Sequence, residues 1–241
     1  MKLLTPPPSG LPDGGFSFIV HGIVIVKRAY VFIDGSNLYH RVKSVAEHFH
    51  KETGQEYGTA DFDFSGFCDS LKGETEIKSI KYYVGIVRRI REGSQDEITK
   101  SEKMYAAQQR LISHLESAGI ELRYGKLLKY PGGVYHEKGV DVQLSVEMIR
   151  FARNDDYDVA YLLSSDSDLI PAVKEVKKIG KEVVYMGVKK IPTPEEQKRL
   201  EELNRDPFAI SYGLMRTASD NKIVEKEEVI PFLKNRAIDS R

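Results

Sequence analysis

The chain has 241 residues, of which 41% are hydrophobic and 10% aromatic, enough to bury one sizeable core. Its 36 basic and 36 acidic side chains cancel, which excludes attraction to nucleic acid by net charge alone, so a polyanion must be bound by a local patch. Cys68 is the only cysteine, which excludes an internal disulfide, and its apolar neighbours predict a buried core residue.

Residues 1–28 are predicted to be an N-terminal extension. The opening MKLLTPPPSGLPDGG is rich in proline and glycine, which is typical of disorder, and it lacks the apolar stretch of a signal peptide. Residues 16–26 are apolar but too short to cross a bilayer, and His21 and Gly22 interrupt them. We therefore expect a cytoplasmic protein without a membrane segment.

Buried-strand and helix patterns alternate from residue 29 to residue 190. Strands are predicted at residues 29–34, 77–87, 120–130, 159–164 and 181–187. Helices are predicted at residues 38–49, 61–71, 96–118, 140–152 and 168–180, with loops at 88–95 and a PGG turn at 131–133. The alternation predicts an α/β fold, a doubly wound and mainly parallel five-stranded sheet flanked by helices. Residues 191–241 are predicted to be a charged C-terminal extension with a surface helix.

Acidic residues stand where several of these strands end. Asp34 closes the first strand, Asp166 and Asp168 follow the fourth, and Asp141 opens the helix that comes after the third. Ligands of open parallel sheets bind beyond the carboxyl ends of the strands. We therefore expect the four carboxylates to converge at one edge of the sheet.

Each acid also has a purely structural interpretation. Asp34 precedes a turn glycine, Asp141 and Asp168 lie in the first turns of helices, and Asp166 or Ser167 is a candidate N-cap. Capping one helix does not require two acids, however, and clustered carboxylates repel each other unless a cation neutralises them. Mg²⁺ and Mn²⁺ prefer such oxygen ligands, so we interpret the cluster as a metal site.

Three stretches resemble the signature blocks of a known family. VFIDGSNLY, EKGVDVQLSVEMI and YLLSSDSDLIPAVKEVKKIGKEVVYMG are similar, in this order, to blocks of the NYN domain family, in the LabA-like branch of the PIN-like nuclease superfamily. The resemblance covers residues 29–187 and implies a PIN-like fold with a Mg²⁺- or Mn²⁺-dependent ribonuclease site. It implies that Asn37 orients a carboxylate, water or phosphate. It also implies four metal ligands, held directly or through water: Asp34, Asp141, Asp166 and Asp168.

Two positions depart from the family pattern. Ser165 stands where the family usually has glycine, and Leu169 where phenylalanine is common. Both changes concern the shape of the pocket floor and leave its charges unchanged. A metal site of this kind activates water and clamps phosphate oxygens, so no covalent nucleophile is needed. Serine chemistry is not expected, because the nearby serines show no His–Asp partners in the sequence.

Positive charge for an RNA partner must come from nearby loops. Arg88 and Arg89 follow the second strand, and Lys138 lies three residues before Asp141, so we predict that they contact phosphates, with a solvated loop as the alternative. Three tyrosines are candidates for stacking on bases, with ordinary packing as the alternative: Tyr39, Tyr124 and Tyr135.

Other functions fit less well. A glycosyltransferase with a DxD motif would need a larger acceptor domain, and DGSN lacks the second acid of haloacid-type phosphatases. Neither GxGxxG nor a Walker A loop occurs. The alternative to a ribonuclease is a non-catalytic RNA- or protein-binding module on the same fold. The C-terminal extension is a candidate arm for a homo-oligomer or a partner.

Overall fold

Strands and helices alternate along the chain in the computed structural model, which describes residues 17–20, 23–59, 61–130, 134–203 and 205–235. The strands are β1 (Ser17–Val20), β2 (Ile23–Val26), β3 (Arg28–Asp34), β4 (Tyr57–Gly58), β5 (Glu76–Ile86), β6 (Glu121–Tyr130), β7 (Val134–Lys138), β8 (Val159–Leu163), β9 (Glu182–Val188), β10 (Asp220–Val224) and β11 (Lys234–Asn235). The α-helices are α1 (Gly35–Thr53), α2 (Phe64–Leu71), α3 (Gln95–Ser117), α4 (Val140–Arg153), α5 (Ile170–Lys178), α6 (Pro194–Glu202), α7 (Tyr212–Thr217) and α8 (Lys226–Val229). Short 3₁₀ helices span Ser167–Leu169 and Ile230–Phe232.

The main sheet has seven strands in the order β10–β9–β8–β3–β5–β6–β7. All neighbours are parallel except β6 and β7. The chain first moves outward from β3 through β5 to β6 and then returns to build β8, β9 and β10 on the other side. β3 and β8 are therefore the pair at which the winding direction reverses, the position where such sheets bind ligands. The predicted doubly wound, mainly parallel α/β fold is confirmed.

All five predicted strands are present, as β3, β5, β6, β8 and β9. The sequence did not predict β7 and β10, which lie at the two edges of the sheet and are short, and β10 carries polar residues over its first half. β10 lies within the expected C-terminal extension and pairs with β9. The surface helix expected in this region corresponds to α6, which has no buried residue. The predicted disorder of the N-terminus and the PGG turn lie outside the described residues.

Helices cover both faces of the sheet, since the strands carry apolar side chains on both faces. Along β3, Val31 and Ile33 belong to the core beneath α1 and α2, whereas Phe32 belongs to the core beneath α4 and α5. Cys68 is a buried core residue as predicted, and burial raises the pKa of its thiol far above its usual value. No helix among the described residues is long and apolar enough to cross a membrane.

Candidate active site

Asp34 is fixed at the carboxyl end of β3, beside the β3–β8 junction. It is the N-cap of α1: its Oδ1 accepts the Asn37 N–H at 3.0 Å and its Oδ2 accepts the Ser164 hydroxyl at 2.9 Å. α1 can start at residue 35 only because this residue is glycine. A Cβ on Gly35 would lie 2.3 Å from the Tyr82 ring. The tight turn thus fixes the backbone that follows Asp34, and the two hydrogen bonds fix the orientation of its carboxylate.

The segment after β8 is ordered by its own hydroxyl and carboxyl groups. The Ser164 hydroxyl accepts the Asp166 N–H at 3.1 Å, and Asp166 Oδ1 accepts the Asp168 N–H at 2.9 Å. Asp166 is thereby the N-cap of the 3₁₀ helix that follows. Asp166 thus has the capping role for which it was a candidate, and Asp34 caps α1, a role that the sequence did not predict. The two caps fix how the carboxylates are oriented.

A cleft of about 440 Å³ lies at this edge of the sheet. The residues that line it are Asp34, Ser36, Asn37, His40, Val140, Asp141 and Asp166. Three of the four predicted acids and the predicted Asn37 therefore border the same cleft. Asp168 is exposed and does not line it. We call this cavity the acid cleft.

The electrostatics of the acid cleft favour a cation. Burial raises the pKa of Asp34 and the nearby charge of Asp166 raises it further, although hydrogen bonds from Asn37 and Ser164 and the charge of Arg41 act in the opposite direction. A bound cation would relieve the cost of ionising this carboxyl group.

Carboxylate oxygens are also the donors that Mg²⁺ and Mn²⁺ prefer. Mg²⁺ in particular takes one or two carboxylates and keeps several waters. The side chains that line the acid cleft offer oxygen donors of the type that such an ion binds. As the described side chains stand, however, no three His, Cys, Asp or Glu residues lie close enough to hold a metal ion.

His40 lines the acid cleft but was not predicted as a site residue. Burial lowers the pKa of its imidazole, and the nearby positive charges of Lys43 and Lys190 act in the same direction, so the ring is neutral at neutral pH. The available signal was helical spacing, since His40 follows Asn37 by one turn of α1.

The predicted phosphate contacts lie outside the acid cleft. Arg88 and Arg89 are exposed just after β5, the neighbour of β3, and the Arg89 guanidinium lies 4.7 Å from the centre of the Tyr105 ring. Lys138 is the exposed last residue of β7 and directly precedes Gly139, the N-cap of α4. Two of the three tyrosines proposed to stack on bases have described side chains. Tyr39 and Tyr124 are 40% and 41% exposed, and the side chain of Tyr135 lies outside the described part of the chain.

Comparison with known proteins supports the assignment of family. The family model of the NYN domain matches residues 28–205. No match was found among curated proteins. The crystal structure of a protein of unknown function from Vibrio parahaemolyticus is similar over 87% of this chain and 97% of that chain, with 18% identity and a TM-score of 0.49, a likeness too distant to argue from. Because the family model covers well over half of its residues, the chain belongs to the NYN domain family.

Proposed function

We propose that the protein is a metal-dependent ribonuclease that hydrolyses RNA phosphodiester bonds at the acid cleft. The observation that carries this proposal is the set of three carboxylates around one cleft at the β3–β8 junction. Membership of the NYN family supports a PIN-like nuclease. The three signature blocks favour the LabA-like branch within it. The cytoplasmic location and a homo-oligomeric state stay predictions.

The expected metal is Mg²⁺ or Mn²⁺. Asp34, Asp141 and Asp166 would hold it, with Asp168 acting through water from just outside the acid cleft. When bound, such an ion lowers the pKa of a water molecule and clamps phosphate oxygens. Asp34 needs little reorganisation for this role, because its two hydrogen bonds already fix its carboxylate.

Asn37 and His40 would act on the substrate side of the acid cleft. The Asn37 backbone N–H already holds Asp34, which leaves its side-chain amide, on the cleft wall, for a water or phosphate oxygen. His40 presents a neutral imidazole, which can accept a hydrogen bond without adding charge. The RNA strand would be bound outside the acid cleft, where its phosphates could contact the exposed side chains of Arg88, Arg89 and Lys138.

Cleavage of single-stranded RNA in Mn²⁺ or Mg²⁺ tests this function. Asp34→Asn keeps the shape of the side chain but removes its charge, and we expect the cleavage rate to fall by at least ~100-fold, since even residues behind metal ligands cost ~10–100-fold. Asp63→Asn is the matched control, because Asp63 caps α2 in the same way, accepting the Gly66 N–H at 2.9 Å, outside the acid cleft. Undiminished cleavage by Asp34→Asn would contradict the proposed site.

A non-catalytic RNA- or protein-binding module is the second candidate. It is favoured by one observation: no three potential ligands among the described residues are close enough to hold a metal ion. This function predicts that the wild type binds RNA or a partner in excess Mn²⁺ without cleaving RNA. Metal-dependent cleavage that disappears with Asp34→Asn would exclude it.

A further inference from the structure

Residues 206–211, which we call the strap, lie beyond the family-matched region but reach the same edge of the sheet as the acid cleft. Asp206 organises the strap: its two carboxylate oxygens accept the N–H groups of Phe208 and Ile210, both at 3.0 Å. Within it, Ala209 has a left-handed backbone with φ of 56°, a conformation that residues with a side chain rarely adopt. Such a conformation persists only where the surroundings determine it.

The strap is attached to α1 and to the end of β9. The Phe208 carbonyl accepts the Lys190 N–H at 3.1 Å. The Ala209 carbonyl accepts a hydrogen bond from Arg41 Nη2 at 3.0 Å. Arg41 is 7% exposed and its Nε has no hydrogen-bond partner among the described residues, so the strap supplies a contact for a buried guanidinium one turn after Asn37. The strap is therefore attached, through Arg41, to the helix that carries Asn37 and His40 of the acid cleft.

Tyr185 connects the strap to the segment that carries Asp166. Its side chain is fully buried, and its hydroxyl accepts the Ser211 N–H at 3.1 Å and lies 3.3 Å from the Ser165 hydroxyl. Gly187, two residues further along β9, makes room for this tyrosine, because a Cβ there would lie 3.0 Å from the tyrosine oxygen. One buried hydroxyl thus joins two segments that are far apart in the sequence.

Ser165 is the position where the family pattern usually has glycine, and a glycine could not form this bond. Ser164 anchors the same segment on its other side, through Asp34 and the Asp166 N–H. Two consecutive serine hydroxyls therefore hold the segment, one toward β3 and one toward β9. The second anchor depends on the hydroxyl of Ser165.

We propose that Tyr185 is a positioning residue of the acid cleft, which places Asp166 for a divalent ion by joining Ser165 to the strap. This inference rests on the proposed metal site. Tyr185 does not contact the ion; it acts through the segment 164–166. On this proposal the strap supports the acid cleft although it lies beyond the family-matched region.

Mn²⁺ affinity measured by titration calorimetry tests the role of Tyr185. Tyr185→Phe removes only the hydroxyl, and we expect the dissociation constant for Mn²⁺ to rise ~10–100-fold, as for other residues that orient metal ligands. Tyr161→Phe is the matched control. It removes a buried tyrosine hydroxyl from the neighbouring strand β8, where the partners are the Lys72 carbonyl and Thr75. Both variants should melt at a lower temperature than the wild type, but Tyr161→Phe should bind Mn²⁺ like the wild type.

Ser165→Ala probes the same bridge from a partly exposed position, so it decides the question if Tyr185→Phe does not fold. We expect it also to weaken Mn²⁺ binding, and the double variant to bind no more weakly than the weaker single variant, because both changes break one bridge. If folded Tyr185→Phe or Ser165→Ala binds Mn²⁺ with wild-type affinity, the role of Tyr185 is overturned but the metal site is not. A wild type that binds neither Mn²⁺ nor Mg²⁺ would overturn the metal site and the inference together.

Discussion

Asp166 serves as a cap and is proposed as a metal ligand, and two substitutions separate these roles. Asp166→Ala removes the hydrogen bond that the Asp168 N–H donates to Asp166 Oδ1 at 2.9 Å. Loss of such a cap costs ~0.5–2 kcal/mol. For a chain of this size that lowers the melting temperature by ~1–8 °C. Asp166→Asn keeps the cap but removes the charge that raises the pKa of Asp34. In chelator we therefore expect Asp166→Asn to be as stable as the wild type or more stable, by on the order of 1 kcal/mol.

Adding metal should make the wild type more stable than Asp166→Asn, the reverse of the order expected in chelator. An ion that binds only the folded state at 100 times its dissociation constant stabilises the protein by ~2.7 kcal/mol, which raises the melting temperature by about 5–10 °C. We expect this increase in the wild type with Mn²⁺ and a much smaller one in both Asp166 variants. Thermal melts in chelator and in excess Mn²⁺ measure all of these differences.

The same pair of substitutions at Asp63 serves as the control, since Asp63 caps α2 away from the acid cleft. Asp63→Ala should lose stability equally with and without metal, and Asp63→Asn should keep the full response to Mn²⁺. The reasoning is refuted by a wild-type melt that is indifferent to Mn²⁺ and Mg²⁺ together with a destabilised Asp166→Ala in chelator. That result would leave Asp166 with a capping role only.

Two further predictions concern residues outside the acid cleft. Replacing Arg88, Arg89 and Lys138 by alanine should weaken RNA binding with little dependence on base sequence and reduce its dependence on salt concentration; an unchanged salt slope in binding titrations would place the basic groove elsewhere. Burial opposes ionisation of Glu121, but its bonds to Lys81 and other groups hold its pKa at about 2, below the ordinary 4.5. Because the folded pKa is lowered, Glu121 stabilises the fold above about pH 4.5, and this contribution disappears as the pH falls toward 2. Glu121→Gln should therefore cost about 0.5–1 kcal/mol in urea unfolding at pH 7, because solvent screens the ion pairs of this exposed side chain, and progressively less at lower pH. An equal cost at pH 7 and pH 2.5 would contradict this.

The central fold could be predicted because its signals are local. Each of the five predicted strands is a short apolar run next to a helical pattern, and alternation of the two leaves few topologies other than a doubly wound parallel sheet. The meeting of Asp34, Asp141 and Asp166 follows from the same topology, since all three stand at the carboxyl edge of the strands. Their position at the β3–β8 junction could not be predicted from the sequence, because it depends on β8 pairing with β3 and not with β6.

The strap could not be predicted, because its contacts are between residues far apart in the chain. The bond from Arg41 to Ala209 spans 168 positions. A lone tyrosine in an apolar strand, such as Tyr185, looks like an ordinary core residue in the sequence. Ser165 was noticed as a departure from the family pattern, but its partner became visible only in the folded structure. His40 was missed because its link to the site is through Asn37, one turn before it on α1, and not through the pattern of acids at the strand ends.

The capping and metal interpretations are compatible at Asp34 and Asp166, because a carboxylate held by a backbone N–H is already oriented before any ion arrives. Asp141 differs from both. The N-cap of α4 is Gly139, which offers no side chain, and Asp141 stands exposed in the first turn of the helix. Among the contacts of the described residues, the helix dipole is its only evident structural reason, worth ~0.3–1 kcal/mol at an exposed position. A third negative charge on the lining of the same cleft as Asp34 and Asp166 works against that small gain when no cation is present. Of the three acids that line the acid cleft, Asp141 is therefore the one that the described contacts explain least, and the proposed metal site would give it a role.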